Sequence, residues 1–276
     1  MIDQTAKAQT FSKLHQDGCF IIPNPWDVGS AKLLEGIGFA ALATTSAGFA
    51  RSTGVDDYEL TRDQVLEHAA DLCGATEIPV SADLENGFGH APKDCFETIS
   101  LAASAGLVGG SIEDFSGEAG QQYPIAHAKE RIAAAVEAAG AQAFKFTLTA
   151  RAENYFTGTP DLADTIARLQ AYQDAGADVL YAPGLKTLED IQSVLSEVDR
   201  PVNVLLGPQA GLRPVPELAA LGVRRISLGS ALANIAMDAI IKAGDELLRT
   251  GTFAFLDGLE DAGRMTDLMF KRDSVK

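Results

Sequence analysis

Short apolar runs alternate with longer stretches of helical period along the whole chain. The runs Cys19–Pro23, Ala40–Thr44, Pro79–Asp83, Gly109–Glu113, Phe144–Ala150, Asp178–Ala182, Val202–Leu206 and Arg225–Leu228 are predicted as strands. Their interiors are close to continuously apolar, with Val202, Val204 and Leu206 in the seventh. Parallel strands buried on both faces have this pattern. The segments between them mark their own ends. Thr61 is followed three residues later by Gln64, close to a capping box. Gly106 follows Ala102–Ala105 and Gly176 follows Tyr172–Ala175, where a left-handed C-terminal glycine is expected. The joint repeats: EGIGFAAL, SAGLVGGSIED, AGADVLYAP and LGVRRISLG each run helix, glycine, strand. Eight such units with no long crossover predict an α/β fold closed as a (β/α)8 TIM barrel, with an open doubly wound sheet as competitor.

Beyond the eighth strand, Ala231–Arg249 has an amphipathic helical pattern ended by Thr250–Gly251. Thr252–Leu259 then supplies Phe253, Phe255 and Leu256. Residues 230–276 therefore read as a C-terminal helical extension of one barrel domain spanning 1–276, suited either to an interface or to capping the barrel. No linker or low-complexity tract divides the chain, and 276 residues is an ordinary length for one such barrel.

Composition narrows the partners. The net charge of −16 disfavours nucleic acid and an anionic membrane surface. It leaves a small anionic substrate open, because a local Arg or metal can override the global field. No apolar signal core precedes the first strand and no run of 18 apolar residues occurs, so a cytoplasmic protein is expected. Cys19, Cys73 and Cys95 are odd in number and form no CxxC, which predicts buried or inert thiols.

Several familiar patterns are absent. GIGFAA at Gly36–Ala41 has the letters of a dinucleotide loop but precedes a strand instead of following one. His15, His68, His90 and His127 lack metal-ligand spacing and read as surface or helix residues. Barrel enzymes work at the C-terminal ends of their strands, and there the chain is rich in acids. The third strand ends in Asp83-Leu84-Glu85 and the fourth in Glu113-Asp114. An extended chain would point Asp83 and Glu85 the same way, with Glu113 beside them. Like charges at about 4 Å repel by roughly 4 kcal/mol at an effective dielectric of 20. Protons or a cation must relieve that, and oxygen ligands suit Mg2+, with Mn2+ as an alternative. Each carboxylate alone reads better as a loop cap, whereas three at consecutive strand ends favour the metal. Ser46, Ala47 and Gly48 follow the second strand, where small residues let backbone N–H groups approach a carboxylate. Asp57 lies further along that loop. Arg151, ending the fifth strand, is suited to clamp a carboxylate or to pair with the mouth acids. Asn203 is polar in an apolar strand and needs a partner if buried.

The pieces PNPWDVGSA, TTSAGFA, the D-x-E-x-G-F-G form at Asp83–Gly89, SIED, TARAEN and LGSAL stand in one order between Phe20 and Gly229. Together they resemble the isocitrate lyase and phosphoenolpyruvate mutase superfamily. The resemblance implies a (β/α)8 barrel whose C-terminal helix is exchanged between subunits of a dimer or tetramer. It implies Mg2+ held by Asp83, Glu85 and Glu113, and substrate held by the Ser46–Ala47–Gly48 N–H groups, Asp83, Arg151 and Asn203. Trp26 would stand in the site wall, and Asp57, Arg151 and Glu113 would serve the chemistry.

The loop after the fourth strand departs from the family. It lacks the K-x-C-G sequence of the lyases and the Lys and Asn of the mutases, reading Phe115–Gln122 with no Cys after Cys95. The remaining resemblance is to the oxaloacetate decarboxylase-like branch. It implies a Mg2+-dependent lyase that forms an enolate from a small 2-oxo acid, as in decarboxylation of oxaloacetate. Cleavage of a larger 2-hydroxy dicarboxylic acid, with Asp57 or Glu118 as acid or base, and non-catalytic binding of a 2-oxo acid are the alternatives.

Overall fold

The computed structural model describes residues 3–117, 121–207 and 211–270. Glu118, named above as a candidate acid or base, lies outside them. Eight parallel strands alternate with helices: β1 (Phe20–Ile22), β2 (Leu42–Ala43), β3 (Val80–Asp83), β4 (Gly109–Glu113), β5 (Thr147–Arg151), β6 (Val179–Tyr181), β7 (Val202–Leu205) and β8 (Arg225–Ser227). They pair in the order β1-β8-β7-β6-β5-β4-β3-β2. The two ends of this sheet meet. Ala43 N–H donates to Pro23 O at 3.1 Å, and the Asn24 amide donates to Thr44 O at 3.1 Å. Asn24 Oδ1 also accepts from Leu228 N–H at 2.9 Å, so one side chain ties the seam to β8. The barrel expected from the repeated helix–glycine–strand joint is the fold observed.

The helices are α1 (Gln4–Leu14), α2 (Val28–Ile37), α3 (Ser46–Thr53), α4 (Arg62–Ala75), α5 (Pro92–Ser104), α6 (Ile125–Gly140), α7 (Leu162–Asp174), α8 (Leu188–Glu197), α9 (Val215–Leu221), α10 (Ala231–Arg249) and α11 (Ala262–Phe270). The Thr61–Gln64 capping box forms as predicted, and Gly106 and Gly176 take φ of 101° and 103° just past α5 and α7. The sheet-to-helix core contains Leu72, Ile99, Ile112, Leu148, Leu180 and Ile226, all buried.

A smaller cluster closes the barrel bottom. Phe11 of α1 stands under Gly109, where a β-carbon would come within 2.7 Å of the Phe11 ring. His15 meets Phe11 and Phe20 edge-on, with ring centroids 4.8 and 5.0 Å away. His15 is thus buried, and burial lowers its pKa to about 3. His68 is also buried and stacks on Phe49. His68 lies within α4, one of the two placements expected of it, whereas His15 follows α1 and is not on the surface. The cysteines are free and half-buried or buried, and burial pushes the Cys73 and Cys95 thiols up to about 12 and 11.

The C-terminal extension contains α10, over the residues predicted, and α11, which packs on α2. Gly36 permits that approach, since a β-carbon there would stand 1.9 Å from Leu268 O. Ile235, Ile240, Ile241, Leu248 and Phe253 of the extension are exposed. No helix among the described residues is long and apolar enough to cross a membrane.

Candidate active site

The strand ends open into a cavity of about 710 Å³. Arg151, the last residue of β5, holds three carboxylates there. Nη1 lies 2.7 Å from Asp83 Oδ1, Nη2 3.1 Å from Glu113 Oε2, and Nε 2.8 Å from Glu153 Oε1. The register of the barrel makes this possible. Glu113 pairs directly with Arg151 across β4 and β5, and Asp83 pairs with Ser111 across β3 and β4. The next residue along, Asp114, faces the opposite way. It accepts from Arg168 at 2.9 Å, Tyr172 at 2.5 Å and the Glu153 N–H at 2.9 Å. Asp114 thereby fixes the stem that carries Glu153 towards Arg151.

The cluster has more acid than base. Burial raises Glu113 well above the ordinary carboxylate range. Burial raises Glu153 to about 7. Burial, with Asp83 and Asp57 nearby, raises Glu85 to about 8. Burial and Asp83 raise Asp57 as well. Burial works against the Arg151 charge, but Asp83, Glu153 and Glu113 outweigh it and hold that charge firmly.

A second element meets the cluster from β2. The residues expected as an open loop form the first turn of α3. Thr45 caps this helix, its Oγ1 accepting from Gly48 N–H at 3.3 Å. Ser46 Oγ donates to Asp83 Oδ2 at 3.2 Å, and Asp83 N–H donates to Thr44 Oγ1 at 2.9 Å. Ser46 and Ala47 border the cavity, so the helix N-terminus presents its first-turn N–H groups there. Gly48 does not border it; its N–H is taken by the cap, and a β-carbon added there would stand 2.5 Å from Thr45 Cγ2.

Of the residues singled out in the sequence, Ser46, Ala47, Asp57, Asp83, Arg151 and Asn203 border the cavity. Glu113 lies behind Arg151, 2 % exposed, and accepts from the Tyr58 hydroxyl. Glu85 departs from the alternation argument. β3 ends at Asp83, and Glu85 sits in a turn with φ of 48°, its N–H on Asp83 Oδ1 at 3.3 Å. Trp26 lies at the start of α2, its N–H donating to Ser30 Oγ at 3.1 Å beside the Asp27 capping box, and does not border the cavity. Asn203 is buried between Ser227 and Arg225.

Tyr58, Glu153, Thr149 and Arg225 also belong to this cavity and were not singled out from the sequence. Inward alternation along β5 and β8 was the available signal for Thr149 and Arg225. Among the described residues, no group of three acidic, His or Cys side chains is arranged to hold a metal ion. Arg151 stands between the acids that the sequence reading gave to one.

Fold and cavity together are those of a barrel of the lyase and mutase kind, with a cavity at the C-terminal strand ends. The chain belongs to the phosphoenolpyruvate phosphomutase family, whose model matches residues 11–248, within the phosphoenolpyruvate mutase and isocitrate lyase superfamily. The uncharacterised protein Rv1998c of Mycobacterium tuberculosis H37Rv is 32 % identical over 256 residues, covering 90 % of this chain and 94 % of that protein. Oxaloacetate decarboxylase 2 of Pseudomonas putida W619 is 28 % identical, covering 82 % of this chain and 75 % of its own. A crystal structure of a Burkholderia cenocepacia J2315 protein of lyase/mutase type is 55 % identical, with a TM-score of 0.93 and 95 % of each chain covered.

Proposed function

We propose that the protein is a Mg2+-dependent carbon–carbon lyase that takes a small 2-oxo acid through an enolate, with decarboxylation of oxaloacetate as the reaction. The observation that carries this reading is the convergence of Asp83, Glu113 and Glu153 on Arg151 beside the N-terminus of α3. Such a mouth combines acids that attract a cation with donors that attract a carboxylate. The oxaloacetate decarboxylase relative supports the choice of reaction.

The donor chemistry fits a hard divalent cation. Asp83, Glu85 and Glu113 supply only oxygen, and Asp57 Oδ1 is buried with no hydrogen-bond partner among the described residues. Burial and neighbouring acids raise Glu85 to about 8, the response of a site with uncompensated negative charge. Asp83, Glu85 and Glu113 would hold the ion once Arg151 turns from them to the substrate. When bound, Mg2+ would draw electron density from the 2-oxo oxygen and so stabilise the charge developing there.

The chain's own residues do the rest. Ser46 and Ala47 N–H groups, at the positive end of α3, receive the carboxylate next to the 2-oxo group. Arg151 clamps the same anion, which fixes the rotation of the bond to be broken. Loss of the distal carboxyl as CO2 leaves its electron pair on the enolate. Protonation at carbon then gives pyruvate. Tyr58, held by Glu113, and Asp57 are proton-bearing groups that border the cavity.

The exposed apolar residues Ile235, Ile240, Ile241 and Leu248 of α10 support assembly into a homodimer or tetramer through the C-terminal extension. Light scattering on the purified protein tests this. The function itself is tested by CO2 release from oxaloacetate: the folded protein with Mg2+ exceeds the metal-only rate by at least a hundredfold. A rate equal to that of Mg2+ alone overturns the reading.

A further inference from the structure

The barrel contains a second cation, one layer beneath the Arg151 cluster, with no acid beside it. Arg225 is the first residue of β8. Arg225 and Ser227 face the cavity, while Ile226 between them is buried in the sheet-to-helix core. The Arg225 side chain crosses the barrel. Nε donates to Asn203 Oδ1 on β7 at 2.9 Å, and Nη2 donates to Thr149 Oγ1 on β5 at 3.0 Å. Nη1 meets His15 Nε2, below, at 3.3 Å. Thr149 precedes Arg151 by two residues on β5, so Arg225 bonds to the next inward-facing position below Arg151.

Each partner of Arg225 is neutral. The Asn203 amide is oriented by its own donation to Ser227 Oγ at 2.9 Å, which leaves its oxygen for Arg225. His15 Nδ1 lies 2.8 Å from Phe11 O, an acceptor only, so Nδ1 carries the ring hydrogen and Nε2 is the lone-pair acceptor. Guanidinium has five N–H groups. Three are used, and one on each Nη has no partner among the described residues. Arg225 is 6 % exposed. Burial lowers its pKa to about 10, so it stays charged at neutral pH.

The other buried arginines, Arg168 and Arg131, do not border the cavity, although Arg131 Nε is also without a partner among the described residues. Arg168 has Asp114 and Asp164. Arg131 has the carbonyls of Gly89 and Asn86 and the face of Tyr123. Arg225 combines a buried charge, unused donors on both Nη atoms and an open cavity above. Desolvated charge is stable only when matched by an opposite one, and a guanidinium fork matches a carboxylate in shape.

We propose that Arg225, placed by Thr149 and Asn203, forms an anion-binding floor for the second carboxylate of a dicarboxylic substrate. This deepens the reading above, since the 2-oxo end would be held at the mouth. One guanidinium compensates one carboxylate, and the two arginines border one cavity at successive inward-facing levels, as the two ends of a dicarboxylate require. The floor therefore selects for a second acidic group, and a 2-oxo monoacid leaves Arg225 unmatched.

Calorimetry with Mg2+ compares pyruvate with 2-oxoglutarate, which has a second carboxylate. The wild-type protein binds 2-oxoglutarate at least tenfold more tightly, and Arg225→Met brings the ratio close to one. Thr149→Val, isosteric and uncharged, reduces the ratio and serves if Arg225→Met melts early. Equal wild-type affinities, or an unchanged ratio in either folded variant, overturn the proposal. A second arm separates it from the enolate reading. With chelator and no metal, malonate raises the melting temperature of the wild type but not of Arg225→Met. That result without Mg2+-dependent pyruvate binding keeps the floor and defeats the enolate reading. Pyruvate binding without a malonate effect does the reverse.

Discussion

The Tyr58 hydroxyl donates to Glu113 Oε1, tying the segment after α3 to the end of β4. Tyr58 has a φ of 66°, and its ring meets Phe115 edge-on at 5.3 Å, so aromatic packing and this one bond hold it over the mouth. The bond lowers the Glu113 pKa against the much larger upward push of burial. Tyr58→Phe therefore raises it further. A hydrogen bond to a charged group contributes about 1.5 to 3 kcal/mol, so kcat/KM for oxaloacetate should fall roughly tenfold to a hundredfold. The acid limb of the pH profile should move to higher pH. An unmoved limb would separate Glu113 from the ionisation that controls the rate.

Glu85 makes the metal-free protein sensitive to alkali. Its folded-state pKa is raised from 4.5 to about 8, first by burial and then by Asp83 and Asp57. Between those values the folded state keeps a proton that the unfolded state has lost, so stability falls as pH rises. The loss is at most about 4 kcal/mol across the window. Melting temperature measured in chelator should drop from pH 5 to pH 8, and Mg2+ at pH 8 should restore it. Glu85→Gln should flatten the profile.

His15 acts in the opposite direction. Its folded-state pKa is lowered from 6.5 to about 3, chiefly by burial and then by Arg225. Its contribution is complete above pH 6.5 and is lost as pH falls towards 3. By pH 4 this amounts to about 3 kcal/mol. His15→Gln keeps an acceptor for Arg225 but cannot titrate. Urea melts at pH 7 and pH 4 should show a smaller acid loss for this variant than for the wild type.

Asp114 joins β4 to α7 through Arg168 and Tyr172 and supports Glu153 through its N–H. Removing one partner of a buried ion pair costs about 3 to 5 kcal/mol. Asp114→Ala should lose that much in urea unfolding, and Tyr172→Phe about 1 to 2 kcal/mol. A loss below 1 kcal/mol for Asp114→Ala would show that the Arg168 charge finds another partner.

The barrel was legible because parallel strands buried on both faces must be apolar, and because several helix-to-strand joints turn on a left-handed glycine such as Gly106 or Gly176. The end of the fifth strand was misjudged. Phe144 and Phe146 prolong its apolar run backwards, yet Phe144 packs before pairing begins at Thr147, and the strand continues to Arg151. Ser46–Gly48 looked like a loop because small residues suit both a loop and a capped first turn. The acids at β3 and β4 could be read from their position at strand ends. Their shared hold on Arg151 could not, since it depends on register between strands far apart in the chain. For the same reason Arg225 was read only as the start of a strand. Its partners Thr149, Asn203 and His15 are 76, 22 and 210 residues away.

The seam between β1 and β2 is the barrel's most lightly stitched line. Elsewhere neighbouring strands share a ladder of main-chain bonds; here Ala43 N–H and the Asn24 amide bridge the gap. Thermal opening should therefore begin beside Asn24, at the rim where Thr44 and Ser46 lead into α3. Deuterium should enter the Ala43 and Leu228 amides sooner than those of β4 and β5, and the mouth should widen there as larger guests arrive.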